Sequence, residues 1–100
     1  QTTVSRVADL EVHMDPRQVF RQGKEIRLSG KEFSLLRYMV QNSGIVLSRE
    51  KLEQHIWNYD YAGGSNVIDV YIRYLRKKID DGYEKKLIHT VRGAGYVLKE

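Results

Sequence analysis

The sequence predicts an α+β fold with an N-terminal antiparallel β-sheet, a three-helix bundle and a C-terminal β-hairpin. The spacing of apolar residues supports this prediction, because they alternate with polar residues between positions 9 and 28 and recur at helical spacing between positions 33 and 79. A glycine-rich turn then separates two short apolar runs near the C-terminus. The order of elements is therefore strands, helices and a terminal hairpin.

The composition indicates one globular domain that spans residues 1–100. Hydrophobic residues make up 41% of the 100 positions and charged residues 30%, which supports one modest core and argues against disorder. No apolar stretch approaches the roughly 20 residues that cross a bilayer, and the first residues lack the apolar segment of a signal peptide. There is no cysteine, which excludes disulfides and thiolate metal sites. We therefore expect a cytoplasmic domain with no membrane partner.

The first 28 residues contain the predicted sheet. Leu10 and Val12 alternate with polar residues, and Asp15-Pro16 and Gln22-Gly23 break the run into short strands. Residues 1–8 are polar with scattered valines. They fit both a linker remnant and a first edge strand, and the sequence leaves both open.

Two helices follow, each with a capping residue at its start. Ser29 and Glu32 form a capping box, in which each side chain accepts a hydrogen bond from the backbone N–H of the other residue. Asn42 to Gly44 ends this first helix, since glycine readily takes the conformation that follows a helix end. Ser48 caps a second, shorter helix that Ile56-Trp57 closes.

The third helix, from about Asn66 to Asp80, has two different faces. The apolar face has the spacing of one buried stripe, formed by Ile68, Ile72, Leu75 and Ile79. The opposite face is cationic and presents Asn66, Val70, Arg73, Tyr74 and Lys77, with Arg76 beside them. Residues 58–65, which precede this helix, have no periodicity and are expected to form a loop.

A glycine turn separates two predicted strands at the C-terminus. Residues 87–92 form the first strand, Gly93 to Gly95 form the turn, and residues 96–98 form the second strand. The alternation of apolar residues is imperfect, which leaves room for a β-bulge. The turn is narrow because its glycines have no side chain, so Arg92 can project from it.

A helix with one basic face, followed by a hairpin, is typical of a winged helix-turn-helix. The major groove of DNA is about 12 Å wide and admits one helix, so residues 66–80 are the predicted recognition helix. Arg73 and Asn66 carry groups that pair with base edges. The predicted wing is residues 90–96, and a narrow minor groove attracts its arginine, Arg92. The residues expected to reach backbone phosphates are Arg76, Lys77 and Thr90.

Each of these residues also has a purely structural explanation. Basic residues on an exposed helix face are usually a solvated surface. Under this explanation, Lys77 would only offset the helix dipole, Asn66 would only cap the helix, and Arg92 would only protect a sheet edge from pairing with other chains. The net charge of +4 permits an anionic partner but does not demand one. The alternative function is therefore a winged-helix interaction module that binds an acidic protein partner.

The sequence offers no catalytic or metal site. His13, His55 and His89 share no ligand spacing. The run Gly93 to Gly95 lacks the third glycine and the following helix of a dinucleotide fingerprint. Asp69 has no paired carboxylate, and no nucleophile lies beside a base. We therefore predict a protein that is not an enzyme and needs no cofactor.

Three parts of the chain have the sequence, order and spacing of a known family. They are Leu28 to Phe33, Leu47 to Glu50, and the run Asn66 to Ile79 followed by Thr90 to Tyr96. These motifs resemble the C-terminal effector domain of OmpR/PhoB-type response regulators, the output proteins of bacterial two-component systems. The similarity covers nearly the whole chain.

The resemblance implies a four-stranded N-terminal sheet, with the third helix in the major groove and the wing tip in the minor groove. The positions that match recognition-helix contacts are Asn66, Val70, Arg73, Tyr74 and Lys77. The positions that match phosphate contacts are Arg76 and Thr90, and Arg92 matches the wing contact. Tyr74 stands where some relatives have a basic residue, and Val67 where some have a small polar one, so the target sequence cannot be borrowed from a relative.

The resemblance also implies partners. The first is double-stranded promoter DNA, bound as direct repeats to regulate transcription. In such proteins a receiver domain with a phosphorylatable aspartate precedes the effector domain and receives its signal from a sensor kinase, so the chain is expected to be one part of a longer regulator. Residues 58–65 match a segment that contacts RNA polymerase in this family, although a plain connector also explains them.

Overall fold

The elements follow the predicted order. The computed structural model describes residues 4–14, 17–56 and 66–100. Four strands come first: β1 (Val4–Val7), β2 (Leu10–Met14), β3 (Arg17–Arg21) and β4 (Lys24–Ile26). They are followed by helices α1 (Gly30–Gln41), α2 (Arg49–Ile56) and α3 (Asn66–Leu75), a π-helical turn (Arg76–Asp80), and strands β5 (Ile88–Val91) and β6 (Gly95–Leu98). The predicted α+β class is therefore confirmed.

The N-terminal strands form one antiparallel sheet in the order β1-β2-β3-β4. Leu10 pairs with Arg21, and Val12 pairs with Val19. Because side chains alternate across a sheet, these four residues share the inner face, and all four are buried. Residues 4–7 form β1, the strand at the edge of this sheet.

The capping box at the start of α1 is confirmed. The hydroxyl of Ser29 accepts from the backbone N–H of Glu32 at 3.3 Å, and the Glu32 carboxylate accepts from the backbone N–H of Ser29 at 2.9 Å. Lys78 donates to the same carboxylate at 2.6 Å. Burial alone raises the pKa of Glu32, but the hydrogen bonds from Lys78 and Ser29 hold it below its ordinary value. The cap of α1 is thus also a contact with the end of the third helix.

The three helices enclose a core that continues onto the inner face of the sheet. Every residue of the predicted apolar stripe in the third helix is almost completely buried: Ile68, Ile72, Leu75 and Ile79. The other helices and the terminal hairpin contribute Leu36, Met39, Leu52, Leu87 and Leu98, among others. Among the described residues, no helix has the length and apolarity needed to cross a membrane.

The third helix runs without a break from Asn66 to Asp80, as predicted, but its last five residues are π-helical and not α-helical. The α-helix ends at Leu75, and the backbone N–H of Asp81 donates to the carbonyl of Arg76 at 2.8 Å, a bond that spans five residues. The turn is therefore wider than an α-helical turn, which is the definition of a π-helical segment. Ile79 stays on the buried stripe despite this change.

A buried arginine accounts for the way this helix end meets the sheet. Arg21 of β3 has no exposed surface. It donates to the carbonyl of Ile79 and, at 2.5 Å, to the carbonyl of Lys85, and its guanidinium carbon lies 4.5 Å from the ring centre of Tyr83. A carbonyl at the helix end, that of Ile79, is thus bonded to a side chain from another element.

Two carboxylates complete this cluster, which we call the Arg21 junction. Arg21 donates to Asp9 at 2.5 Å and to Asp80 at 3.2 Å. Asp80, which is only 2% exposed, also accepts from the backbone N–H groups of Leu87 and Ile88 at 3.1 Å each. The junction therefore joins the N-terminal sheet, the end of the third helix and the start of β5 through one buried charge.

The C-terminal hairpin, which we call the wing, has backbone partners on both sides of β6. β5 and β6 pair in a continuous register from Ile88 with Leu98 to Val91 with Gly95, so these strands contain no bulge. On its other side β6 pairs with Leu47, in the connection between α1 and α2, through two backbone hydrogen bonds of 2.8 and 2.9 Å. Residues 96–98 are all buried, so both faces of β6 are covered, which accounts for the imperfect alternation of apolar residues.

Replacing Arg21 by methionine should destabilise the domain strongly. Arg21→Met leaves Asp80 buried without its positive partner, which costs about 3–5 kcal/mol of unfolding free energy. Arg27→Met, at an exposed position, should change the unfolding free energy by less than about 0.5 kcal/mol. Urea unfolding of the three proteins measures this difference. A loss below about 1 kcal/mol in Arg21→Met would show that the junction contributes little.

Candidate nucleic-acid interface

The face of α3 and of the π-helical turn that extends it is exposed and basic on the side opposite the core. Arg73 and Lys77 are exposed, and Tyr74 keeps 45% of its surface accessible. We call these three residues the reading face. Val70, predicted to lie on the same face, is only partly exposed. Asn66 begins α3, but its side chain lies outside the described residues.

The wing tip presents the other predicted cation. The backbone N–H of Ala94 donates to the carbonyl of Val91 at 3.0 Å and closes the turn. Gly93 has a φ of +74°, which favours glycine at this position. Arg92 precedes it and is exposed. The hairpin therefore carries a guanidinium at its end, beside residues with little or no side chain.

A hydrogen bond fixes the reading face beside the wing. Arg76, immediately before Lys77, donates through Nη2 to the hydroxyl of Thr90 at 2.6 Å and to the carbonyl of Ile88 at 3.3 Å. Its guanidinium carbon lies 5.7 Å from the ring centre of Tyr96. Two of the three residues predicted to bind phosphate, Arg76 and Thr90, therefore contact each other. Their predicted contacts with DNA remain predictions.

A second link joins α3 to the wing and to α2. The Tyr96 hydroxyl donates to Asp69, and Arg49 Nε lies 3.1 Å from the same carboxylate oxygen. Burial, followed by the hydrogen bond and negative charge of Asp69, raises the pKa of Tyr96 above its ordinary value. Tyr96 therefore stays protonated as a donor. Tyr96 also packs in the hydrophobic core. The sequence pattern gave no indication of this role for Arg49.

Backbone contact explains why residue 95 is glycine. A Cβ atom at this position would lie 2.0 Å from the carbonyl oxygen of Leu47. The φ of Gly95 is +142°, which side chains rarely allow. The base of the wing is therefore in direct contact with the connection between α1 and α2.

An open groove lies between the start of α2 and the wing. Its charged lining comprises Arg49, Glu50, Glu53 and Arg92. Because both signs are present, this groove is not a uniform anion site. The concentrated positive charge of the region is instead at the reading face and at the exposed tip of the wing.

Two further points of the sequence interpretation concern residues 57–65 and metal binding. Residues 58–65, the predicted polymerase contact, and Trp57 lie outside the described residues. Among the residues that are described, no group of three or more His, Asp or Glu side chains could hold a metal ion.

Comparison with known proteins identifies the family. Residues 23–98 match the family described as "Transcriptional regulatory protein, C terminal". The chain belongs to this family. The predicted resemblance to OmpR/PhoB-type effector domains is thereby confirmed, and one structural relative is itself described as an OmpR/PhoB homologue.

Members of this transcriptional regulatory family resemble the chain along most of its length. The transcriptional regulatory protein PcoR of Escherichia coli is 53% identical over 97 residues, which are 97% of this chain and 43% of PcoR. An uncharacterized regulator of Bacillus subtilis, YkoG, is 52% identical over 91 residues, or 91% of this chain and 40% of YkoG. The chain thus spans about two fifths of the length of these relatives.

Solved structures from the same family share the fold. Response regulator DrrB of Thermotoga maritima is 33% identical with a TM-score of 0.86, over 97% of this chain and 44% of DrrB. The DNA-binding domain of Klebsiella pneumoniae RstA, solved in complex with its RstA box, is 28% identical with a TM-score of 0.85. This match covers 97% of each chain. The predicted winged-helix architecture is therefore confirmed.

Two glycine substitutions in the wing test the backbone contact at its base. Gly95→Ala and Gly93→Ala both place a side chain at positive φ, but only the first meets a backbone atom within 4 Å. Gly95→Ala should therefore lower the unfolding free energy by about 1–3 kcal/mol more than Gly93→Ala. Thermal or urea unfolding gives the comparison. Equal losses in the two variants would mean that Gly95 is needed only for its backbone conformation.

Proposed function

We propose that the chain binds double-stranded promoter DNA as the DNA-binding part of a transcriptional regulator. In this proposal α3 enters the major groove and the wing reaches the adjacent minor groove. One observation carries the proposal: a helix with a completely buried apolar stripe exposes Arg73 and Lys77 beside a hairpin that ends in an exposed Arg92. The likeness to the RstA DNA-binding domain, whose structure was solved in complex with its RstA box, supports the same function for this chain.

Each exposed side chain has a role suited to its chemistry. Arg73 has the two parallel donors that pair with the O6 and N7 acceptors of guanine. Lys77, as a point charge near the end of the helix, neutralises a phosphate. Arg92 enters the minor groove, whose negative potential attracts a guanidinium. Tyr74 stacks or hydrogen-bonds beside them. The remaining proposed contacts are Asn66 and Val70 with bases, and Arg76 and Thr90 with phosphates.

The whole regulator carries further proposed functions. Because the chain spans about two fifths of its relatives, we propose that a receiver domain precedes it and answers to a sensor kinase. Dimerisation through that receiver domain then places two effector domains on direct repeats. Residues 58–65 are the proposed contact with RNA polymerase, and a promoter partner implies a cytoplasmic location. We propose no catalytic activity, since the relatives have the names of regulators.

An acidic protein partner is the competing function. Its recognition would use the same exposed cations, but it involves no array of condensed counterions. For each phosphate that the protein neutralises, the logarithm of the DNA affinity falls by about 0.9 for every tenfold increase in salt concentration. The comparisons favour DNA, because the structural relatives include DNA-binding domains of response regulators.

Arg73 and Lys77 should contribute to DNA binding in different ways. Arg73→Ala should weaken the preferred duplex by about 1–3 kcal/mol and a scrambled duplex less, because it removes a base contact. Lys77→Ala should weaken both duplexes alike and reduce the salt slope by about 0.9. Fluorescence anisotropy, with duplexes selected from a random pool, measures both effects.

The matched control is Lys24→Ala, which removes an exposed cation from β4 in the N-terminal sheet. It should leave the affinity and the salt slope unchanged. If Arg73→Ala weakened the preferred and scrambled duplexes equally, direct base recognition by Arg73 would be wrong. If the wild-type chain bound no duplex at low salt, the proposed function itself would be wrong.

A further inference from the structure

One strand of the wing, β6, is hydrogen-bonded to α3, and the other, β5, is hydrogen-bonded to the π-helical turn that extends α3. The two bonds lie at the same level of the hairpin. Thr90 and Tyr96 are directly opposite each other across the strands. Arg76 donates to the Thr90 hydroxyl, and Asp69 accepts from the Tyr96 hydroxyl. Both residues of this cross-strand pair are therefore hydrogen-bonded to the third helix or to the turn that extends it.

Asp69 and Arg76 are placed so that both can reach the wing. Asp69 and Arg76 are seven residues apart, which is close to two helical turns, so they lie on the same side of the helix. Each bond joins a charged group to a hydroxyl, and such hydrogen bonds are about twice as strong as neutral ones. We call this pair of hydrogen bonds the wing latch. It lies next to the final pair before the turn, Val91 with Gly95.

Further contacts stop the wing base from rotating about the latch. Arg49 of α2 contacts the Asp69 carboxylate. Leu47 exchanges two backbone hydrogen bonds with Tyr96, and its carbonyl lies against Gly95. The base of the wing thus has fixed contacts with α2, with α3 and with the connection that precedes α2.

We propose that Asp69 and Arg76 are positioning residues that set the angle between the wing and α3. This inference rests on the proposed function, because its consequence concerns DNA. With the angle fixed, Arg92 and the reading face engage the two grooves as one rigid unit. Ordering a loose hairpin on binding costs conformational entropy, and a latched hairpin avoids that cost.

This role is distinct from the phosphate contacts proposed above for Arg76 and Thr90, and the two roles make different predictions. As independent phosphate ligands they would add to the affinity whatever the wing does. As parts of the latch they act through Arg92, and removing them should reduce the contribution of Arg92 to the affinity for DNA. Independent contributions add, whereas contributions that depend on one another do not, so a double-mutant cycle separates the two roles.

The test combines the loss of the latch with the loss of Arg92. Tyr96→Phe with Thr90→Val removes the two latch hydroxyls and keeps side chains of nearly the same size at both positions. In the wild-type background Arg92→Ala should weaken binding to the selected duplex about tenfold. In the background without the latch the same substitution should cost less than about threefold. Fluorescence anisotropy at one fixed salt concentration gives all four affinities.

The control is Tyr83→Phe, which removes a hydroxyl that is not part of the latch, from a tyrosine packed against Arg21. In this background Arg92→Ala should weaken binding about tenfold, as it does in the wild-type background. A second measurement needs no DNA: NMR relaxation of the free chain should show larger motions at residues 92–94 once the latch is removed.

The outcomes separate the two proposals. DNA binding with the same cost of Arg92→Ala in both backgrounds, or an unchanged mobility of the wing tip, overturns the latch and leaves the proposed function standing. A wild-type chain that binds no duplex overturns the proposed function and this inference with it. A smaller cost of Arg92→Ala together with a more mobile tip supports the latch.

Discussion

The fixed position of α3 is the constraint on which the rest of the structure depends. One side of this helix is buried through Ile68, Ile72 and Leu75, so it cannot roll without exposing the core. Its two ends are held by charged groups: Asp69 contacts the wing and α2, and Arg21 bonds to the turn that follows α3. Only the remaining side is available to a partner. A recognition helix needs this arrangement, because readout of base edges requires side chains held in a defined register.

The basic residues fall into two groups with different physical roles. Arg21, Arg76 and Lys78 are bonded to carboxylates, carbonyls or a hydroxyl within the domain and join its elements. By contrast, the reading face and Arg92 extend into solvent. The net charge of +4 does not distinguish these groups, which explains why composition alone is a weak indicator of a nucleic-acid partner. Placement in the fold decides which cations are available to a polyanion.

Local signals predicted most of the fold, and long-range contacts account for what the sequence analysis missed. The capping box at Ser29 and the apolar stripe of α3 depend on residues a few positions apart, so periodicity and spacing found them. The Arg21 junction joins residues 58 to 64 positions apart, and the pattern gave no indication of a partner. One signal was present: Arg21 follows Val19 at strand spacing and therefore points to the inner face. Side-chain chemistry on the helix face and the wing suggested most of the DNA contacts, and the family resemblance added Val70 and Tyr74. The bond between Arg76 and Thr90 required the structure.

The central claim is that the reading face and the wing form the surface that contacts DNA. The most direct measurement is an NMR titration of the isotope-labelled chain with a selected duplex. The account predicts that backbone amide signals shift at Arg73, Lys77 and Arg92, while those of Glu11 and Phe20, on the outer face of the N-terminal sheet, stay in place. Shifts confined to that sheet, with the signals of α3 and the wing unchanged, would contradict it.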